Sequence, residues 1–294
     1  MSAGGAALTA GVDGSLASAD AAAWAAREAE RRGLALRLLS AGPRSAAAPS
    51  AQAAAADGLL DRTTVQLAKT HPGLDIDVIR ADAPAVPALL AAAAESQTLV
   101  LGSRGLSGFT GFLVGSVAFA VAAGAGRPVV LVRPGDLPED AWTAVHEHIS
   151  PARAPYHPVV LGLDVDRPAD ELIAYAFEAT AARAAPLHVV HAWSPASLRG
   201  YVTGLRPPAD DPGIRHARER ALAAALRPWR LAYPGTEVAE RVVHGHPAHH
   251  LLKASARAGL LVVGRRVPAG PGLGRVAHSL VHHSMCAVAV VPHH

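Results

Sequence analysis

The chain writes one folding unit twice. Gly11-Val-Asp13 recurs as Gly162-Leu-Asp164, and the same offset sets Trp24 against Tyr175 and Leu36-Arg-Leu-Leu-Ser-Ala41 against Leu187-His-Val-Val-His-Ala192. Farther on, Asp82-Ala-Pro84 matches Gly245-His-Pro247, Val100-Leu-Gly102 matches Val262-Val-Gly264, and Pro128-Val-Val-Leu-Val132 matches Ala287-Val-Ala-Val-Val291. A duplication constrains the architecture before any single residue is weighed, because whatever one copy folds into the other must approximate. With 294 residues in all, each copy has the length of an ordinary domain with its own core. The slow drift of the offset puts the insertions in loops.

Within each copy, short aliphatic runs alternate with longer segments whose apolar residues recur at helical spacing. A first strand ends at Asp13 or Asp164. A helix follows over 19–32 or 169–184, then a second strand over 35–39 or 187–191. A Pro/Ser/Gly-bearing loop leads to a second helix, 57–70 or 211–231. A third strand, a third helix (84–94 or 247–258), a fourth strand, a last helix and a fifth strand complete the unit. Strands alternating with helices imply a parallel sheet covered on both faces. The predicted fold is therefore α/β: two tandem, doubly wound, five-stranded parallel-sheet domains, 1–134 and 156–294. Between them, 135–155 is proline-bearing and net acidic and reads as a linker. Ligands of such folds sit beyond the carboxyl ends of the strands. Asp13 and Gly102 both fall at such ends, so one cleft can hold them together.

The second of those ends carries a motif. Gly102-Ser-Arg-Gly105 follows the buried run Leu99-Val-Leu101, and after nine intervening residues come Gly115-Ser116 and a helix stopped by Gly124, Gly126 and Pro128. Strand, glycine-bearing loop and helix start, in that order, suit a phosphate: glycine lets backbone N–H groups approach an anion, and the helix start supplies free donors and a positive dipole end. Ser116 is placed at the cap position, where its hydroxyl serves the helix or the anion. The spacing matches neither G-x-x-x-x-G-K-[ST] nor a G-x-G-x-x-G after the first strand, so a P-loop and a dinucleotide fingerprint are both disfavoured.

Composition narrows the partners. Aromatic residues are 4% of the chain and the net charge is only +3, with the basic excess spread through the second half. Nucleic-acid binding wants a basic stripe with aromatic platforms, and neither is present. No apolar run approaches the ~20 residues of a membrane span, and the first residues lack a secretory pattern. The single cysteine, Cys286, precludes an internal disulfide and fits a reducing cytoplasm.

With strand, Gly-x2-Gly-x9-Gly-Ser, helix and the Pro-Val-Val-Leu-Val strand in place, the chain resembles a tandem universal stress protein, of the UspA-like kind with an adenine nucleotide alpha hydrolase-like, Rossmann-like fold. Gly11-Val-Asp-Gly-Ser15 resembles that family's opening signature. The resemblance covers nearly all of the chain outside the linker. It implies a cytoplasmic stress-response protein that binds ATP, with or without Mg²⁺, and has no well-defined catalytic task; a metal held by Asp13 near the γ-phosphate would permit slow ATP hydrolysis. It further implies that Asp13, with Gly14 and Ser15, holds the ribose or a metal-linked phosphate. Backbone near Leu39 and Ser40 would meet the adenine. Gly102, Arg104, Gly105, Gly115, Ser116 and Val117 would take the phosphates.

The second copy departs from that pattern. After Gly264 the second glycine position holds Val267, Gly274 comes early, and Arg275 replaces the serine. A β-branched side chain where backbone must approach the ligand, in a shortened loop, describes a degraded anion nest. One nucleotide per chain is expected, in the first domain. Histidines crowd this half (His244, His246, His249, His250, His278, His282, His283), but no thiolate or carboxylate signature accompanies them and no metal site is assigned. Nor is a nucleophile: G-x-S-x-G is absent. The alternative is a ligand-independent dimerisation scaffold, because the apolar last strand of each copy, if exposed, seeks a partner. By resemblance those strands pair chains as a homodimer, or pair the two halves as a pseudo-dimer.

Overall fold

The computed structural model describes residues 7–42, 51–103, 115–133, 157–194, 211–267 and 272–294. The expected linker 135–155 lies outside them. By their contacts the residues form two compact units, one built on 1–138 with 265–273 and 287–292, the other on 139–264 with 274–286 and 293–294.

In the first unit the elements run β1 (Ala7–Gly11), α1 (Leu16–Arg32), β2 (Ala35–Ala41), α2 (Ala51–Thr70), β3 (Ile76–Ala81), α3 (Ala85–Ala94), β4 (Thr98–Gly102), α4 (Ser116–Gly124) and β5 (Val129–Val132). The strands lie in the order β3-β2-β1-β4-β5, all parallel. This is the doubly wound arrangement expected, with the order reversing between β1 and β4. Leu8 pairs with Leu36 on one side and Thr98 on the other. All of β1 and β5 is buried, as a sheet covered on both faces requires.

Two details matter for the site. Helix α1 begins at Leu16, earlier than the periodicity indicates, because Ser15 caps it: its side chain accepts from the Ser18 N–H, and Gly33 closes the other end in the left-handed conformation. Its buried face is mostly alanine (Ala17, Ala21, Ala22, Ala25, Ala26, Ala29), so the helix backbone lies close on the sheet. Helix α2 likewise starts before Asp57, since the alanines preceding it are good helix formers.

The second unit repeats the plan with β6 (Val159–Gly162), α5 (Asp170–Arg183), β7 (Leu187–Trp193), α6 (Pro212–Ala232), β8 (Val238–His244), α7 (Pro247–Ser255), β9 (Leu260–Arg266) and α8 (Arg275–His283). Strand order here is β9-β6-β7-β8, again parallel. Phe177 on α5 anchors its core, with ring centroids 6.2 Å from Trp229 and 5.5 Å from Tyr233. The chain's last strand, β10 (Ala287–His293), pairs with the first unit's sheet. It runs antiparallel to β5, Ala289 opposite Val130. Strand β5, which reads in the sequence as an apolar edge, is thus covered on both sides by β4 and β10. No helix among the described residues is long and apolar enough to cross a membrane.

Candidate functional site

The adjacent ends of β1 and β4 bring two of the expected features together. Beyond β1, Val12 is buried and its N–H donates to the Leu39 carbonyl at 2.8 Å, which carries the sheet one residue past the strand. The chain then turns outward at the exposed Asp13, and Gly14 takes φ +90°, a conformation that favours glycine. Asp13 is held in place: its Oδ1 accepts from the Ser15 N–H at 3.1 Å and from the Ser15 hydroxyl at 2.6 Å. The Ser15 Oγ in turn accepts from the Ser18 N–H at 3.2 Å. Ser18, absent from the family motif but marked by the Ser-x-x-Ser spacing, closes the turn: its hydroxyl donates to the Ser15 carbonyl at 2.8 Å and accepts from the Asp13 N–H at 3.3 Å. Ser15 is therefore a fastening for the Asp13 carboxylate and for helix α1.

At the end of β4, Gly102 is glycine for a reason the motif does not disclose. A Cβ there would lie 2.4 Å from the Ala17 carbonyl oxygen and 2.8 Å from the Ser18 backbone nitrogen. The first turn of α1 occupies the space a side chain would need, so this glycine locks the Asp13 turn against β4. Ser103 follows, buried, with its N–H donating to the Val132 carbonyl at 2.7 Å and its hydroxyl to the same oxygen at 3.0 Å. Arg104 and Gly105 lie outside the described residues.

Helix α4 supplies the donors. Here the structure corrects the placement of Ser116: Gly115 is the N-cap, in extended conformation and with no side-chain cap, and Ser116 is the exposed first residue of the helix. Val117 beside it is 37% exposed, whereas Ala118 is buried. The backbone N–H groups of Ser116, Val117 and Ala118 head the helix at its positive end, and the helix's own bonding begins with the Phe119 N–H donating to the Gly115 carbonyl at 2.9 Å.

On β2, Leu39 and Ser40 are both buried at 3% exposure, and the Leu39 carbonyl already serves Val12. Ala41 and Gly42, half-buried, are the first backbone of this strand to emerge. The stretch Leu39-Ser40, where the sequence places an adenine contact, is itself buried in the strand.

The second unit keeps the frame and alters the fittings. The Leu163 N–H donates to the Val190 carbonyl at 3.1 Å, as Val12 does to Leu39, and the Asp166 N–H donates to Asp164 Oδ1 at 3.1 Å, as Ser15 does to Asp13. Asp166 is paired with Arg218. In place of Ser40 stands His191, buried, whose Nδ1 lies 3.0 Å from the Leu163 carbonyl oxygen and 3.5 Å from the Val165 backbone nitrogen. Its Nε2 is buried without a hydrogen-bond partner among the described residues. Burial lowers the His191 pKa below its ordinary 6.5, Arg218 adds to the effect, and the Leu163 carbonyl, Asp164 and Asp166 oppose it. A Cβ on Gly264 would meet only side-chain ends, His293 at 2.6 Å and Leu172 at 3.2 Å. Helix α8 starts with Gly274 as an uncapped N-cap and the exposed Arg275 as its first residue. Among the described residues no group of three or more His, Cys, Asp or Glu is placed to hold a metal ion.

Known proteins agree with this frame over its whole length. The profile of the Universal stress protein family matches residues 7–133 and again 155–292. Universal stress protein Rv2005c of Mycobacterium tuberculosis is 30% identical over 296 residues, covering 95% of this chain and 95% of that protein. Universal stress protein Rv1996 of the same organism is 28% identical over 310 residues, covering 96% and 94%. A crystal structure of a universal stress protein from Archaeoglobus fulgidus superposes at a TM-score of 0.64, covering 97% of this chain and 98% of that one, with 18% identity, a likeness of fold.

Proposed function

The chain belongs to the universal stress protein family, and from that premise we propose that it binds ATP in the cleft of its first unit and acts as a stress-response regulator or sensor in the cytoplasm, not as a metabolic enzyme. One observation carries the reading: a fastened, exposed carboxylate, Asp13, stands beyond β1, and the adjacent strand β4 feeds a helix whose first turn presents backbone donors with no side-chain cap.

The donor set fits a nucleotide triphosphate. Three amides at the head of α4 and the Ser116 hydroxyl offer hydrogen bonds to phosphate oxygens. Asp13, at the end of the strand next to β4, would repel a polyanion unless it meets hydroxyls or a cation. It is therefore assigned to the ribose hydroxyls, which donate to a carboxylate, or to Mg²⁺ carried in on the phosphates. A magnesium ion is content with one or two carboxylates plus phosphate oxygens and water. The backbone emerging at Ala41 and Gly42 is the edge available to the adenine. In the second unit the loop after β9 is shorter and Val267 stands where glycine is needed, so we assign one site per chain.

The test is calorimetric titration with ATP and Mg²⁺ of the wild type, Asp13→Ala and Gly115→Val. The wild type is expected to bind one equivalent, with each substitution weakening binding about tenfold or more, as loss of a charge-assisted contact does. Unchanged affinity in Gly115→Val, or two equivalent sites in the wild type, defeats the assignment.

A further inference from the structure

Helix α4 is poorly anchored by its own sequence. It has nine residues, shorter than a helix that stands alone in water. Its buried face is Ala118, Val121, Ala122 and Ala123, small side chains that contribute little burial. Its N-terminal amides nevertheless have to be held still if they are to act as a preformed anion site. The contact that fastens its other end comes from far along the chain. Arg265, which by its contacts belongs to the first unit, is only 5% exposed, and its Nη2 donates to the carbonyl of Ala125, the C-cap of α4. Its Nε is buried without a hydrogen-bond partner among the described residues. The positive charge thus rests on the negative end of the α4 dipole, where a cation is stabilising.

The corresponding residue of the first copy does something different. Gly102 and Gly264 are matched in the repeat, so Arg265 stands where the first copy has Ser103, and Ser103 closes locally on the Val132 carbonyl. Helix α8, the counterpart of α4, ends on Ser284, whose hydroxyl donates to the Cys286 carbonyl at 3.2 Å. The bond there is local, between the C-cap residue and the chain just beyond it. Of these two matched helices, among the described residues, α4 is the one whose C-cap carbonyl accepts from a guanidinium, and it is the one that follows the full glycine spacing in the copy bearing Asp13.

We infer that Arg265 is a positioning residue for phosphate binding: by clamping the Ala125 carbonyl it fixes the helix whose opposite end meets the phosphates. The inference rests on the nucleotide reading above. Adenosine separates the two, because it offers the ribose and base contacts but nothing for α4 to hold.

The experiment measures ATP and adenosine affinities for the wild type, R265M and R265K, with amide hydrogen exchange of α4 in the ligand-free proteins. R265M is expected to weaken ATP binding about five- to tenfold, the size of a helix-end charge. Adenosine binding should stay within about twofold, α4 amides should exchange faster, and R265K should recover ATP affinity to within about threefold. Should R265M not fold, R265Q keeps a donor without the charge and is expected to show a smaller loss of the same kind. Equal losses for ATP and adenosine, or unchanged ATP affinity in a folded variant, overturn the inference and leave the nucleotide reading intact. A wild type that binds neither ligand defeats that reading instead. In that case unchanged α4 exchange in the variant would overturn the clamp as well.

Discussion

The Ser15 hydroxyl donates to the Asp13 carboxylate at 2.6 Å while its oxygen accepts the Ser18 amide, so one atom fixes both a candidate ligand group and the start of a helix. The two tasks have separable consequences. Ser15→Ala removes the N-cap, which costs about 1 kcal/mol of stability. It also releases Asp13 from its tether, so ATP affinity should fall by more than the change in stability alone explains. Ser15→Asp restores a cap but sets a second carboxylate beside the first, and is expected to recover stability without recovering affinity. Urea unfolding and calorimetric titration of the pair read the two effects apart.

Gly102 and Gly264 occupy matched places in the two copies yet face different neighbours. Gly102→Ala drives a methyl to 2.4 Å from the Ala17 carbonyl, backbone that cannot swing away. Gly264→Ala meets the ends of His293 and Leu172, which can. The first substitution should destabilise by about 3 kcal/mol, in the range of overpacking against a rigid wall, and the second by under about 1 kcal/mol. Denaturant titration of both variants measures the contrast. Because the same clash displaces the turn bearing Asp13, Gly102→Ala should also weaken ATP binding.

His191 makes the second unit sensitive to mild acid. Its folded pKa is depressed, chiefly by burial, so above pH 6.5 it is neutral in both folded and unfolded chains and contributes no pH dependence. As the pH drops below 6.5 the unfolded chain takes up a proton that the folded chain holds off, and stability is lost until the folded pKa is reached. The loss approaches about 1.4 kcal/mol per pH unit while that difference is complete. Arg218 reinforces the effect, and Asp164 and Asp166 oppose it. His191→Asn removes the titration. Comparing the stability of the two proteins at pH 7.5 and 5.5 isolates this residue from the chain's other histidines, and equal slopes would refute the assignment.

The parts of this molecule that are legible in its sequence are those written locally or twice. Alternating aliphatic and helical periods locate the elements, and the repeat of Gly-x-Asp and of the fourth strand puts Asp13 and Gly102 at neighbouring strand ends. What escapes the sequence is decided by residues distant in the chain. Gly102 reads as a ligand-facing glycine, but its Cβ space is taken by α1, an element eighty-odd positions earlier. Arg265 reads as part of a degraded second loop, and its role appears only where its guanidinium meets Ala125. The last strand, by contrast, is found against β5, one of the two pairings that the resemblance implied for the last strands of the copies. The linker and the central part of the glycine loop fall outside the described residues.

Ser116 is the instructive miss, because Gly115-Ser116 suits a serine N-cap equally well on paper. In the structure the cap is Gly115 and the Ser116 side chain, exposed, makes no cap bond. Removing its hydroxyl therefore costs the helix nothing: Ser116→Ala should change stability by less than about 0.5 kcal/mol, the usual range for an exposed site. If the hydroxyl instead serves a phosphate, the same substitution should weaken ATP binding about threefold to tenfold, the worth of one hydrogen bond to a charged oxygen, and leave adenosine binding unchanged. A stability loss near 1 kcal/mol with unaltered ATP affinity would mean that the serine caps the helix after all.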